Sequence, residues 1–268
     1  MEVPRVITIA GSDSCGGAGI QADVKTISIL GGYAMTVVTA VTAQDTNNVK
    51  AVFEIPPEFV ARQFEAVMRD VGADAVKTGM LCSRGTIEVV VEGIRYYKVE
   101  RLVVDPVLTA TGGAPLLAAD ARNTLCQELF PLAFLVTPNI PEAEVLTDIV
   151  ITSPSDMKAA ARVLYEMGPR HVLITGGHLF EGAVHVLYDG RQFTEIPFIR
   201  LDTKDTHGSG CTLSAAVATE LAKGCSLMEA LVRAESFVHQ SIRHAFRLGK
   251  GHGPLNQMAA CKDRSAYG

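Results

Sequence analysis

Asp205-Thr206-His207-Gly208-Ser209-Gly210-Cys211 leads straight into residues 212–223, an apolar run with helical spacing. Glycine lets a chain turn tightly and aim successive N–H groups at one point. A helix start adds unpaired N–H donors and a partial positive charge. Gly208, Ser209 and Gly210 therefore read as an anion hole suited to phosphate, or equally as a glycine-rich turn before a helix. Cys211 favours the first reading. A thiol at a helix N-terminus is expected to ionise below its ordinary pKa of about 8.5. The thiolate can then take a proton from a substrate hydroxyl as general base. The alternative is a cysteine packed as a small apolar residue.

Outward from this stretch, β-branched apolar runs alternate with helical periodicity. Strands are predicted at 5–10, 34–43, 75–78, 102–105, 134–137 and 172–175. Helices are predicted at 18–30, 57–71, 83–97, 118–129, 142–146 and 155–166. Near-continuous apolar strands are buried on both faces, which predicts a mostly parallel sheet with helices on both faces. Asp189-Gly190, between strands at 183–188 and 192–198, predicts a two-residue hairpin. Asn47-Asn48 predicts another, since asparagine tolerates the left-handed conformation. Helices at 211–223 and 227–247 close the chain. With no linker or repeat, residues 1–268 read as one domain. Ser12-Asp13, Lys77-Thr78-Gly79, Asp105-Pro106, Thr137-Pro138-Asn139 and Thr175-Gly176-Gly177 all fall at carboxyl ends of predicted parallel strands. Ligands of open α/β sheets bind beyond those ends, so the five loops together predict one site.

The 268 residues are 48% hydrophobic and 20% charged, with a net charge of −5, which suits a large buried core. Basic clusters with interleaved aromatics are missing, so no nucleic-acid partner is expected. No window approaches the ~18 apolar residues of a membrane span. Residues 1–10 lack the basic start and apolar stretch of a signal peptide, and a cytoplasmic protein is expected. Six cysteines show no C-x-x-C spacing, which argues against zinc and a disulfide framework. Cys82, Cys126, Cys225 and Cys261 read as small buried residues or free thiols. Two nucleotide signatures are missing: G-x-x-x-x-G-K-[ST], and G-x-G-x-x-G after the first strand. The run from Gly11 to Gly19 reads instead as a loop that lets a flat substrate approach the backbone. Asp23 beyond it reads as an acceptor for substrate donors or as a solvated helix residue.

Long stretches of the chain, in order, resemble the hydroxymethylpyrimidine/phosphomethylpyrimidine kinases of thiamin biosynthesis, in the ribokinase-like superfamily. They are AGSDSCGGAGIQADVK (10–25), TAVTAQDT (39–46), VKTGML (76–81), VVDPV (103–107), TPNIPEAE (137–144), DTKDTHGSGCTLSAA (202–216) and GHGPLN (251–256). The resemblance implies a three-layer ribokinase-like α/β fold with a small β flap. It implies ATP and Mg²⁺ as cofactors and a homodimeric enzyme. It also implies phosphorylation of hydroxymethylpyrimidine to its phosphate and then to the diphosphate. A pyridoxal kinase of the same architecture is the competing reading. Some such kinases carry a second cysteine shortly after the Asp-Pro strand end, and residues 107–111 have none. A non-catalytic pyrimidine-binding sensor is the reading from another class; Thr175 favours it, and Gln44, Glu142 and Cys211 argue against it.

The resemblance assigns roles residue by residue. Gln44, with Gly11 and Asp23, reads the aminopyrimidine, since an amide offers both donor and acceptor. Met80 and Val107 form apolar walls, although core packing explains both equally well. Asn139 and Glu142 match the N-x-x-E motif that organises Mg²⁺ and the ATP phosphates, directly or through water. Asn139 also suits a helix N-cap. Asp105 serves the same metal region. Gly208, Ser209 and Gly210 form the anion hole, Asp205 and Thr206 approach it, and Cys211 replaces the carboxylate base of the sugar kinases. Thr175, with Gly177 after it, stands where the family commonly has a phosphate-binding lysine. Threonine brings no charge, so either ATP affinity or rate is lowered or the job shifts to another cation.

Overall fold

Along β1 (Arg5–Ser12) successive residues point to opposite faces, and both faces are dry: Ile7 and Ile9 join one apolar cluster, Val6 the other. β5 (Leu102–Val104) repeats this, with Leu102 and Val104 on the first side and Val103 on the second. Strands wet on neither face must sit between two helical layers. The computed structural model, which describes residues 3–110, 113, 115–177 and 183–262, has that architecture.

The remaining strands are β2 (Tyr33–Gln44), β3 (Val49–Glu54), β4 (Ala75–Thr78), β6 (Leu135–Val136), β7 (Val172–Ile174), β8 (Val184–Tyr188) and β9 (Phe193–Pro197). They form one sheet in the order β3-β2-β1-β4-β5-β6-β7-β8-β9. β2, β1, β4, β5, β6 and β7 run parallel, while β3, β8 and β9 are antiparallel. Helices α1 (Gly19–Ile29), α7 (Ser209–Ala222) and α8 (Leu227–Arg243) bury Ile27, Val217 and Ala234 against one face. Helices α2 (Pro57–Asp70), α3 (Arg84–Tyr96), α5 (Ile140–Thr147) and α6 (Pro154–Glu166) bury Phe64, Val90, Ala143 and Leu164 against the other. β3 and the end of β2 extend past this core as an exposed antiparallel flap.

The predicted helix at 118–129 is shorter than expected. α4 covers only Ala121–Thr124, then the chain widens over Leu125–Leu129 and tightens over Phe130–Leu132. Pro131 lacks an N–H and cannot extend a regular helix. The helix predicted to reach residue 247 stops at Arg243. Arg247 and Gly249 take left-handed φ values of 54° and 79°, which turn the chain back toward the flap. There the N–H groups of Lys250 and Gly251 donate to Thr46 Oγ1, each at 3.1 Å. A short α9 (Ala259–Lys262) follows, too brief to show periodicity. The Asn47-Asn48 hairpin is present, but neither asparagine adopts positive φ. Asp45 Oδ1 fixes the turn instead, accepting from Asn47 N at 2.9 Å and Asn48 N at 3.0 Å. At the other hairpin Gly190 does turn with φ 87°. Cys82 is buried, Cys126 and Cys225 are half-buried free thiols, and the side chain of Cys261 lies outside the described residues. Among the described residues no helix is long and apolar enough to cross a membrane.

Candidate active site

The carboxyl ends of β1, β2, β4, β5, β6 and β7 open onto one cavity of about 660 Å³. Of the residues singled out in the sequence, it gathers Gly11, Gln44, Met80, Asp105, Val107, Asn139, Glu142, Thr175, Gly177, Thr206, Gly208, Ser209, Gly210 and Cys211.

Its middle is the start of α7. Gly208 caps the helix with φ 87°, a left-handed conformation that favours glycine. A Cβ there would also collide with the Gly17 carbonyl oxygen. Ser209 N closes onto Thr206 O at 3.1 Å and Thr212 N onto Gly208 O at 2.9 Å. The N–H groups of Gly210 and Cys211 between them belong to the first turn, which has no intrahelical acceptor for them. Both residues line the cavity, and a free first turn of this kind suits an anion.

The Cys211 side chain departs from expectation. Burial pushes the thiol up to about 12; Lys77 and the Gly19 N–H pull it down, while Asp105 and Asp23 oppose them. The helix start alone does not make a thiolate here, because burial of the thiol, with Asp105 and Asp23 adding to it, outweighs it.

Beside the anion hole lie two buried carboxylates. Asp105 follows β5 and accepts a hydrogen bond from Ser214 Oγ at 3.1 Å; burial raises it to about 6. Glu142 sits in a capping box at the start of α5. Asn139 Oδ1 accepts from Glu142 N at 2.9 Å, and Glu142 Oε2 accepts from Asn139 N at 3.0 Å. Burial, then the neighbouring Asp105, raises Glu142 to about 8. Two dry carboxyl groups that repel each other's charge suit a divalent cation. Among the described residues no cluster of three or more side-chain ligands forms a closed metal cage.

One end of the cavity is flat and apolar around Gly11, Met80 and Val107. A Cβ on Gly11 would approach Met80 Sδ to 2.9 Å, so glycine lets the backbone come close. Gln44 ends β2 with Oε1 accepting from Thr42 Oγ1 at 3.3 Å, which aims the amide. Its Nε2 lies 3.4 Å from His207 Nε2. The same ring nitrogen is 2.9 Å from Asp13 Oδ2. Asp13 also accepts from the N–H groups of Cys15, Gly17 and Ala18 at 2.8, 3.0 and 2.9 Å. Burial would raise its carboxyl, but these bonds, His207 first, hold it below the usual carboxylate range. Asp13 and His207 thus fasten the loop after β1 to the loop before α7. Sequence reading placed Asp13 at a strand end and quoted His207 within the glycine-rich run, but gave neither a role; the pairing spans 194 residues.

The opposite end is lined by His185, Phe198, Glu235 and His239. His185 Nδ1 accepts from Gly176 N at 3.1 Å, so its Nε2–H donates to Glu235 Oε2 at 2.9 Å. The ring stacks on Phe198 at 4.4 Å between centroids.

Two expected contact residues are elsewhere. Asp23 is fully buried, and its Oδ2 accepts from Lys77 Nζ at 2.8 Å and Thr8 Oγ1 at 2.6 Å. It stands under the cavity and does not line it. Asp205 is also buried behind the wall, where its Oδ1 accepts from Gly253 N at 3.1 Å and holds residues 251–255 in place.

A parallel sheet between two helical layers, an anion hole over β-strand ends and an antiparallel flap define the ribokinase-like class of fold. Residues 13–256 match the family model described as phosphomethylpyrimidine kinase. The hydroxymethylpyrimidine/phosphomethylpyrimidine kinase of Bacillus subtilis is 45% identical over 261 residues, 97% of this chain and 96% of that one. The thiamine biosynthesis bifunctional protein ThiED of Geobacter sulfurreducens is 49% identical over 259 residues; they are 96% of this chain but 53% of ThiED, so this chain spans about half its length. The ADP complex of Bacillus subtilis pyridoxal kinase superposes with a TM-score of 0.89 at 38% identity, covering 96% of this chain and 98% of that one. The chain belongs to the phosphomethylpyrimidine kinase family.

Proposed function

We propose that this chain phosphorylates hydroxymethylpyrimidine and then its monophosphate, using ATP and Mg²⁺, as one cytoplasmic kinase domain that works as a homodimer. The observation that carries this reading is the continuity of the cavity. An aromatic-lined end, an anion hole and a flat pocket closed by an amide follow one another along one sheet edge.

In this reading Gln44 pairs with the aminopyrimidine, and Gly11, Met80 and Val107 hold its ring. The adenine lies toward His185 and Phe198, and Thr175, Gly177 and Thr206 flank the phosphates. Asp105 and Glu142 would hold a divalent cation, which would supply neutralisation of phosphate charge. The substrate oxygen attacks the γ-phosphorus, the bond from that phosphorus to the β-bridging oxygen breaks, and ADP leaves. The N–H groups of Gly210 and Cys211 hold the moving phosphoryl. In the first transfer Cys211, as thiolate, receives the hydroxyl proton. Neutralising Asp105 removes one of the two carboxylate charges that, with burial, oppose this thiolate, while Lys77 and the Gly19 N–H act in its favour. In the second transfer the acceptor is a phosphate oxygen, already ionised, and the anion hole does most of the work.

A coupled assay for ADP release tests the assignment, with hydroxymethylpyrimidine, its phosphate and pyridoxal as competing acceptors. The expected order places both pyrimidines ahead of pyridoxal in kcat/KM. Pyridoxal turning over faster would replace this reading with the pyridoxal kinase one.

A further inference from the structure

Among the described residues Lys77 is the sole lysine or arginine that is buried. It lies on β4, two strands from the flap side of the sheet and next to β5. Its side chain shares a face with Thr8 and points toward α1, where Asp23 meets it at 2.8 Å. Asp23 Oδ2 accepts from both the ammonium and the Thr8 hydroxyl, an acceptor arrangement that a carboxylate satisfies. Asp23 Oδ1 has no partner.

Stability does not account for this pair. A buried ion pair loses about as much by desolvation as it gains by attraction, and apolar residues of similar volume often serve as well. Its position is more informative. A Cβ on Gly79 would lie 3.0 Å from Lys77 Nζ, and Gly79 lines the cavity. The ammonium is therefore one glycine beneath the cavity floor. Asp23 faces it from α1, Cys211 from α7 and Asp105 from the loop after β5. In that dry setting a fixed charge acts strongly. Thr175 meanwhile leaves the cavity wall without the lysine its position would supply.

We propose that Lys77, anchored by Asp23 beneath Gly79, is the fixed cation of the transfer centre. It is a positioning residue that stabilises the negative charge gathering on Cys211 and the moving phosphoryl without touching substrate. The proposal rests on the phosphoryl-transfer reading above. Asp23 then has a function other than the substrate contact expected of it: it orients the ammonium from the side away from the cavity.

The test uses the full chain and the double variant D23N/K77M, which removes both charges at nearly constant size and strands neither. Steady-state rates, melting curves and iodoacetamide labelling of Cys211 followed by mass spectrometry are compared with wild type. The double variant is expected to melt cooperatively and keep the KM for hydroxymethylpyrimidine within about threefold. Its kcat should fall about 100-fold, the scale of one preorganised electrostatic group. Cys211 labelling at a fixed pH should slow about tenfold. A folded double variant with kcat within threefold of wild type overturns the proposal, as does unchanged labelling. D23N alone supplies a second measurement if the double variant does not fold. It leaves Lys77 without its counter-ion, so the alkaline limb of kcat should move to lower pH; an unmoved limb overturns the role. A wild-type chain inert on the pyrimidine would overturn the functional reading beneath it, whereas an active wild type with an active double variant removes only Lys77.

Discussion

Replacing the Cys211 thiol with a methyl removes a proton acceptor and leaves the anion hole intact, because that hole is built from backbone N–H groups. Cys211→Ala should therefore bind both substrates normally and lose kcat for hydroxymethylpyrimidine by about 100-fold or more. The loss should be much smaller for the monophosphate, whose acceptor oxygen needs no deprotonation. Equal losses on the two acceptors would remove the base assignment; calorimetric binding and ADP release measure both sides. Gln44→Ala should weaken pyrimidine binding by about 1–3 kcal/mol, the cost of unpaired polar groups, and leave the KM for ATP within about twofold. Parallel losses would mean that the substrate end has been misplaced. Cys211 was singled out by its own neighbours in the chain, a glycine-rich helix start, whereas Gln44 was singled out only through the family resemblance. The burial of Asp23 and Asp205 was not legible. Their partners Lys77 and Gly253 lie 54 and 48 residues away, and a local pattern does not report such pairings.

Two secondary-structure boundaries set the positions of these side chains. At α5 the same pair, Asn139 and Glu142, caps the helix and places a carboxylate on the cavity. Asn139→Ala should cost about 1 kcal/mol and lower the melting temperature by about 2–4 °C for a chain of this size. It should also weaken Mg²⁺-dependent stabilisation by ADP, because Glu142 loses its fixed orientation. A variant that melts earlier but responds normally to Mg²⁺ and ADP would confine Asn139 to capping. At the loop between β1 and α1, Asp13 joins the substrate side to the anion hole through His207. Its carboxyl ionises below the ordinary value in the folded chain, so the ionised form adds stability at neutral pH. That contribution is present above the ordinary carboxylate range and is lost as pH falls through the folded value. Asp13→Asn should thus be less stable than wild type at pH 7, and the gap should narrow below about pH 4. A gap constant with pH would show that packing, not charge, fastens the two loops. The strand ends were readable from β-branched runs meeting polar residues. The interlock was not, because it needs Gly17 and Gly208 in contact across the sheet edge.

The layered architecture followed from sequence because parallel strands wet on neither face, as β1, β4, β5, β6 and β7 are, leave one arrangement open. Association with a second copy was implied only by the family resemblance, which names no interface; we propose the flap. Val41 and Phe53 sit opposite each other on β2 and β3 and are 45% and 69% exposed. An apolar cross-strand pair this exposed on an edge hairpin is a poor solvent surface and a good docking one. The flap is also tied to the site: Gln44 N donates to Ser14 Oγ at 2.9 Å, and Thr46 receives the chain returning from α8. Burying the flap against a partner would hold Gln44 steady. Phe53→Asp places a charge in the apolar patch that a partner would have to bury. On the proposed homodimer reading, sedimentation velocity should find the wild type dimeric and this variant monomeric. The KM for the pyrimidine should rise severalfold while the KM for ATP stays level, since the proposed adenine end at His185 and Phe198 lies across the sheet from the flap. A Phe53→Asp protein that remains dimeric would move the interface off the flap, and a monomer with unchanged pyrimidine affinity would separate assembly from the substrate site.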